Sequence, residues 1–311
     1  MDKNTRVGVL MGGMSTERPI SMKSGKAVLA ALQARGWNAV GIDMGPDLPE
    51  RLKAESVEVA WLALHGQFGE DGCVQGLLEI LRIPYTGSGP SASSFAMDKI
   101  TTKRLLADSG IPMPSDHTWR IGEPIPSNMS YPVVAKTPEG GSTLGIQICA
   151  DPQALEAALE ELQHMDQEVL LEDFVAGREI TVAVLEGVSL PVVEIVPDSG
   201  FFDFQSKYTE GMTRYLVPAP LEASVAQAAQ KYAAIAYEKM GLKGIARADF
   251  IVDSEGTPRF LEINTIPGMT ATSLSPMAAA EYGIPFEELV EKLLISADLE
   301  LKNLSGVAEI P

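Results

Sequence analysis

Cysteine is scarce in this chain, and so are histidine, aromatic residues and positive charge. Cys73 and Cys149 are the only cysteines among 311 residues, far apart and in no C-x-x-C arrangement. That spacing speaks against a disulfide framework or a zinc knuckle, and both read as small buried apolar residues. The three histidines, His65, His117 and His164, form no H-E-x-x-H pair, so a histidine-built zinc centre is not expected. Lys and Arg number 24 against 42 Asp and Glu, a net charge of −18. With no basic run to displace counterions, nucleic acid and anionic lipid are excluded as expected partners. No stretch approaches the roughly 20 apolar residues of a membrane span. The opening MDKNTRVGVLMGG ends in glycines, without a signal peptide's longer apolar core. The expectation is a soluble, cytoplasmic protein that meets any phosphate through a few local cations or a metal ion.

What is present suits a packed enzyme. Hydrophobic residues make up 45% and charged residues 21%, close to the globular average. At about 150 residues per domain the length predicts two or three units. Residues 6–10 form an apolar β-type run into Gly12-Gly13, followed by a helical pattern from Ser21. Strand candidates at 39–42, 57–64 and 85–86 alternate with a helix near 74–81, which predicts a parallel sheet covered by helices. A helix at 101–108 is closed by Gly110 and Pro112. Strands at 131–137, 146–149, 169–174 and 180–185 follow, with a helix capped by Asp151 and Pro152 between them. The polar, aromatic segment 197–218 has no period and reads as a candidate lid. A helix at 224–240, strands at 244–252 and 259–264 and a last helix at 286–301 complete the chain.

The last two strands carry the strongest local signal. Closure through residues 254–257 pairs Asp249 with Glu262 and Arg247 with Asn264 on one face, with Ala248, Phe250, Leu261 and Ile263 on the other. Facing carboxylates repel. A hard cation relieves that repulsion and prefers such oxygen donors, while proton sharing or solvent exposure are the alternatives. Arg247 is placed to steady developing negative charge.

His65 ends an apolar strand ahead of Gly66-Gln67-Phe68-Gly69-Glu70-Asp71-Gly72, where α/β sheets bind ligands; a structural hydrogen-bonding histidine fits equally. Lys136 precedes the glycine-rich stretch 140–145, which suits phosphate but lacks a Walker Gly-Lys-Ser/Thr; a surface lysine is the alternative. Residues 87–92 fit G-x-G-x-x-A only weakly, and no G-x-S-x-G elbow occurs.

Together these stretches resemble the D-alanine:D-alanine ligase family of the ATP-grasp superfamily along essentially the whole chain. The matching segments, in order, are Gly12-Gly13 with residues 15–18, His65-Gly66 through Gly72 with Gln75-Gly76, and residues 85–89. Met97-Asp98-Lys99, residues 206–208, Arg247-Ala248-Asp249, Glu262-Ile263-Asn264-Thr265 and Pro267-Gly268-Met269-Thr270 complete the set. The resemblance implies an α/β ATP-grasp fold. It has an N-terminal open parallel-sheet domain (1–98), a small central domain (99–178) and a C-terminal antiparallel-sheet domain (179–311).

It also implies ATP-dependent ligation of two D-alanines through an acyl phosphate, for peptidoglycan precursor synthesis, in a cytoplasmic homodimer. By resemblance, Asp249, Glu262 and Asn264 are ligands of two Mg²⁺ or Mn²⁺ ions, and Lys99 and Lys136 hold the nucleotide phosphates. Glu172, Phe174 and Val175 match the adenine hinge and Glu179 the ribose acid. Glu17 matches the carboxylate for the first ammonium, with His65 beside it. Ser142 and Tyr208 match the residues that join Glu17 in closing the loops. Lys207, Ser273 and Leu274 match the second carboxylate's subsite, and Arg247 with the Gly268 N–H the stabilisers of the tetrahedral intermediate. The chain departs from the family pattern at Gly140 and at Phe201, Phe202 and Phe204. A D-lactate- or D-serine-joining relative and a non-catalytic Mg-ATP module are the alternatives. Tyr208 resembles the dipeptide-forming members, and the intact Glu17, Arg247 and Tyr208 set favours catalysis.

Overall fold

The computed structural model describes residues 1–139, 145–197 and 213–301. Strand β1 (Val7–Gly12) lies between β2 (Ala39–Met44) and β3 (Val59–Leu62), all parallel. Every residue of β1 is buried, as a central parallel strand covered on both faces requires. Tyr85 adds a parallel bridge to Ala60. Helix α1 (Arg18–Ala34) begins three residues ahead of the expected Ser21, with Pro19 in its first turn, where a missing N–H costs nothing. α2 (Leu48–Ala54) and α3 (Cys73–Leu81) complete the layers.

α4 (Pro90–Met97) and α5 (Lys99–Leu106) lead to an antiparallel sheet ordered β4 (Asp116–Arg120), β7 (Glu168–Asp173), β5 (Val133–Lys136), β6 (Ile146–Cys149). α6 (Pro152–Leu162) covers it, and the Asp151 side chain accepts the Ala154 N–H at 2.8 Å as its cap. The third sheet runs β11 (Thr213–Leu216), β10 (Val193–Pro197), β8 (Arg178–Leu185), β12 (Ile245–Val252), β13 (Pro258–Asn264), with β9 (Val188–Ser189) on the end of β8. α7 (Ala223–Lys239) presents Ala229, Ala233 and Ala236, at helical spacing, to the core that holds Phe250 and Phe260. On the other side, α8 (Leu274–Glu281) and α9 (Phe286–Ile295) share one apolar cluster with the first sheet, joining Val7 and Trp37 to Ala183 and Leu293.

Several expectations are corrected. Cys149 is buried, but Cys73 is exposed at the start of α3. The segment 197–218 is not all irregular: Pro197 ends β10, and Thr213–Leu216 pairs with it as β11. The final helix stops at Ile295. Beyond it Asp298 pairs antiparallel with Tyr85, and the Glu79 carboxylate accepts the N–H groups of Glu300 at 2.7 Å and Leu301 at 3.3 Å. Among the described residues no helix is long and apolar enough to cross a membrane.

One ion cluster pins the first sheet to α9. Lys3 and Arg35 pair with Glu291, and the Trp37 indole donates to the same carboxylate at 2.8 Å. Hydrogen bonds from Arg35 and Lys3 hold the Glu291 carboxyl at about 2, below its ordinary 4.5. A depressed folded value stabilises fully above the unfolded value and is lost as pH falls through the folded one. Glu291→Gln is therefore expected to lower the urea midpoint at pH 7, and the gap from the unsubstituted protein should close between pH 4.5 and 2.

Candidate functional site

The hairpin of β12 and β13 pairs Arg247 with Asn264, Ala248 with Ile263 and Asp249 with Glu262, the expected register. It then shifts: Phe250 faces Phe260, not Leu261. The bulge has a packing cause. Phe260 and Ile263 are both buried yet sit an odd number of residues apart, which plain alternation forbids. One extra residue, Leu261, lets Phe260 meet Phe250 edge-on at 5.6 Å while Glu262 stays opposite Asp249.

On the polar face, Arg247 donates from Nε and Nη2 to the two oxygens of Asp249, both at 2.9 Å. Thr181 of β8 donates to Asp249 Oδ1 at 2.6 Å. Burial opposes the Arg247 charge, but Asp249, with Glu262 and Glu70 further off, outweighs it and raises the guanidinium above its ordinary value. Two of five N–H groups are used on Asp249, so three remain for a ligand. Lys99 Nζ lies 3.3 Å from Glu262 Oε2. Asp98 positions that lysine by capping α5, accepting from the Thr101 backbone at 3.0 Å and hydroxyl at 2.8 Å.

The donor set suits a hard cation. Asp249 Oδ2 accepts one hydrogen bond and Asn264 Oδ1 accepts one, from the Ile266 N–H at 2.9 Å, leaving each oxygen a lone pair. Among the described residues no group of three or more His, Cys, Asp or Glu is placed to hold a metal. Asp249, Glu262 and Asn264 instead offer two carboxylates and an amide oxygen, the kind of donors that a hard cation such as Mg²⁺ accepts alongside water and phosphate.

The first-sheet side is tied to the hairpin through Ser24. Its hydroxyl lies 3.2 Å from His65 Nε2 and accepts the Met269 N–H at 3.2 Å. Burial pushes the His65 imidazole down to about 4, with Arg247 adding to the effect against a hydrogen bond with the Ile266 backbone. His65 is thus neutral at pH 7. Ser15 donates to the His65 carbonyl at 2.6 Å and accepts the Glu17 N–H at 3.2 Å, which sets Glu17 beside Gly66. Ser273 precedes α8 without a side-chain cap bond, its hydroxyl 2.8 Å from Thr270 Oγ1, and Leu274 opens that helix, half-buried. The Gly268 N–H makes no hydrogen bond among the described residues.

Lys136, at the end of β5, is buried with its Nζ 2.5 Å from Glu172 Oε2, while Lys103 donates to Glu172 Oε1 at 2.7 Å. Burial alone would raise the Glu172 carboxyl; Lys136 and Lys103 more than offset it and hold it below the usual range. Both oxygens are thus committed to lysines. Phe174 and Val175 lie on the link from β7 to β8, with Phe174 exposed, and Glu179 lies on β8 between Ile195 and Ile251. Ser142, Lys207 and Tyr208 lie outside the described residues.

Sequence reasoning missed Glu70, Thr181 and Lys103. An acid beside a second acid in a glycine-rich loop after His65 was the available signal for Glu70. Lys103 had none, since a lysine in a short helix ordinarily reads as solvated.

Comparison with known proteins matches residues 114–295 to the C-terminal and residues 45–88 to the N-terminal domain of D-ala D-ala ligase. The chain is 50% identical over 295 residues to D-alanine–D-alanine ligase of Syntrophotalea carbinolica, covering 94% of this chain and 96% of that one. It is 45% identical over 305 residues to the Geobacter sulfurreducens enzyme, covering 97% and 96%. Among solved structures it resembles D-alanine–D-alanine ligase from Bacillus anthracis complexed with ATP, with TM-score 0.82 and 33% identity over 94% of this chain and 97% of that one.

Proposed function

This chain belongs to the D-alanine–D-alanine ligase family, and from that premise we propose how its residues divide the work of joining two D-alanines. It is an ATP-dependent ligase. The observation that carries the assignment is the polar face of the hairpin, where Asp249 faces Glu262, Lys99 reaches Glu262, and Arg247 keeps three donors.

The γ-phosphoryl group of ATP passes to the carboxylate of the first D-alanine, giving an acyl phosphate and ADP. The amine of the second D-alanine attacks that carbonyl and expels phosphate. Asp249, Glu262 and Asn264 would hold divalent ions, two Mg²⁺ or Mn²⁺, and such ions would supply positive charge to offset that of the phosphates. Lys99 and Lys136 add point charge along the phosphates, which requires Lys136 to share its ammonium between Glu172 and the nucleotide. The backbone around Glu172, Phe174 and Val175 meets the adenine, and Glu179 the ribose.

Glu17 orients the ammonium of the first substrate, with neutral His65 beside it. Arg247 and the unengaged Gly268 N–H stabilise the oxyanion of the tetrahedral intermediate. Ser273, Leu274 and Lys207 receive the second carboxylate, and Ser142 and Tyr208 close over Glu17 to keep water from the acyl phosphate.

We assign 1–98 to the first substrate and the units 99–178 and 179–311 to nucleotide, metal and lid. A homodimer, working in the cytoplasm on peptidoglycan precursors, completes the proposal. Exposed Ile80 and Leu81 on α3 offer apolar surface for pairing. Phosphate release should rise with D-alanine and not with L-alanine, and D-alanyl-D-alanine should accumulate. Formation of only D-alanyl-D-lactate at neutral pH would overturn the substrate assignment.

A further inference from the structure

Two carboxylates flank Gly66. Glu17 Oε2 lies 2.9 Å from where a Cβ on Gly66 would stand, and Glu70 Oε2 accepts the Gly66 N–H at 2.6 Å. With φ at +71° this position favours glycine, so the gap between the two acids is kept clear of any side chain. The adjacent acid, Asp71, is spent on the loop itself, accepting the N–H groups of Phe68 at 2.6 Å and Cys73 at 3.0 Å at the start of α3. Glu70 instead is buried, at 8% exposure, and accepts no other hydrogen bond among the described residues. Gln75 supports its loop by donating to the Gly69 carbonyl at 2.8 Å. Charged neighbours reach Glu70 from each side: Glu17 at the start of α1, and Arg247 and Glu262 from the hairpin. His65, three residues beyond β3, is neutral.

A second buried acid beside Glu17 is costly unless a cation joins the pair. The ordinary occupants of such a gap are a proton or an ammonium ion. We propose that Glu70 is, with Glu17, the second carboxyl of the pocket that receives the ammonium group of the first amino acid. The proposal deepens the ligase assignment and rests on it.

Burial, and then Glu17, push the Glu70 carboxyl up to about 8, so the ligand-free protein holds a proton there at pH 7. The arriving ammonium replaces it. Glu70 becomes a carboxylate hydrogen-bonded to the substrate N–H, one proton passes to solvent, and no covalent bond to substrate forms or breaks. A hydroxy acid brings no ammonium to replace that proton and would leave Glu70 protonated, forgoing the charged contact, which gives a physical reason for an amino acid as first substrate.

Titrating D-alanine into the full-length protein at pH 7, in buffers of different ionisation enthalpy, counts the protons released. About one proton per first-site D-alanine is expected, from a group about one unit above the working pH. Glu70→Gln should release none and should raise the KM for the first D-alanine by about ten- to a hundredfold, the range for a hydrogen bond to a charged group. Its kcat should fall far less. It should also melt higher at pH 7, because only the unfolded glutamate sheds its proton between pH 4.5 and 8, which penalises the native protein.

No proton release by the unsubstituted protein, or a KM unchanged in Glu70→Gln, overturns the proposal. If Glu70→Gln does not fold, the proton count on the unsubstituted protein decides. Absence of D-alanine-dependent phosphate release from the unsubstituted protein would instead overturn the ligase assignment.

Discussion

Arg247→Met is expected to cut turnover by about 10²–10³, the loss that follows removal of one preorganised donor to a developing oxyanion. Methionine keeps the length and apolar stem of the side chain and deletes the charge. Two of the guanidinium N–H groups are committed to Asp249 at 2.9 Å, and that bidentate pair fixes the direction of the remaining three. The substitution also strands Asp249, largely buried, with only the Thr181 hydroxyl at 2.6 Å. Removing one partner of such a pair costs about 3 kcal/mol, so the thermal midpoint should fall together with kcat. Asp249→Asn in the same background should recover stability without recovering turnover. Turnover within tenfold of the unsubstituted protein in Arg247→Met, with a lowered midpoint, would show that Arg247 acts only through the fold. Steady-state phosphate release and calorimetry on the two variants separate these effects.

Glu262→Gln should be comparably severe and leave the fold intact. The carboxylate stands at 35% side-chain exposure on the open face of the hairpin, while its ion-pair partner Lys99 is buried, so losing the charge weakens that pair but buries no new charge. A divalent ion contributes several kcal/mol to phosphoryl transfer, and each 1.4 kcal/mol is tenfold in rate, which gives a loss of about 10³ in kcat. Deleting the charge also removes the repulsion from Asp249, which offsets the weakened Lys99 pair, so the melting temperature should change little. The concentration of magnesium needed for half-maximal residual activity should increase. Unchanged turnover with an unchanged magnesium requirement would remove Glu262 from the ion's shell.

Much of this site could be read from the chain alone because its spacing is local. A short antiparallel hairpin ties residue numbers to faces, so Asp249 and Glu262 could be paired before any coordinates existed. The bulge at Leu261 could not, because it is decided by how Phe260 packs against Phe250, a fact about volume and not about pattern. Strand β11 escaped notice for a related reason. Four residues with half-exposed side chains carry little periodicity, and their partner is β10 across a long connection. Lys103 and Glu70 were missed because buried charge contradicts the usual rule for such residues, and only contact with Glu172 in one case and the Gly66 N–H in the other shows how each is accommodated.

The seam between Tyr85 and Asp298 has a bearing on how the protein is made. The edge that Tyr85 and Glu79 present remains without its native cover until the ribosome has supplied more than two hundred further residues. Nascent chains halted anywhere before that point should be cut by protease near Tyr85, and addition of a peptide spanning residues 296–301 should protect them.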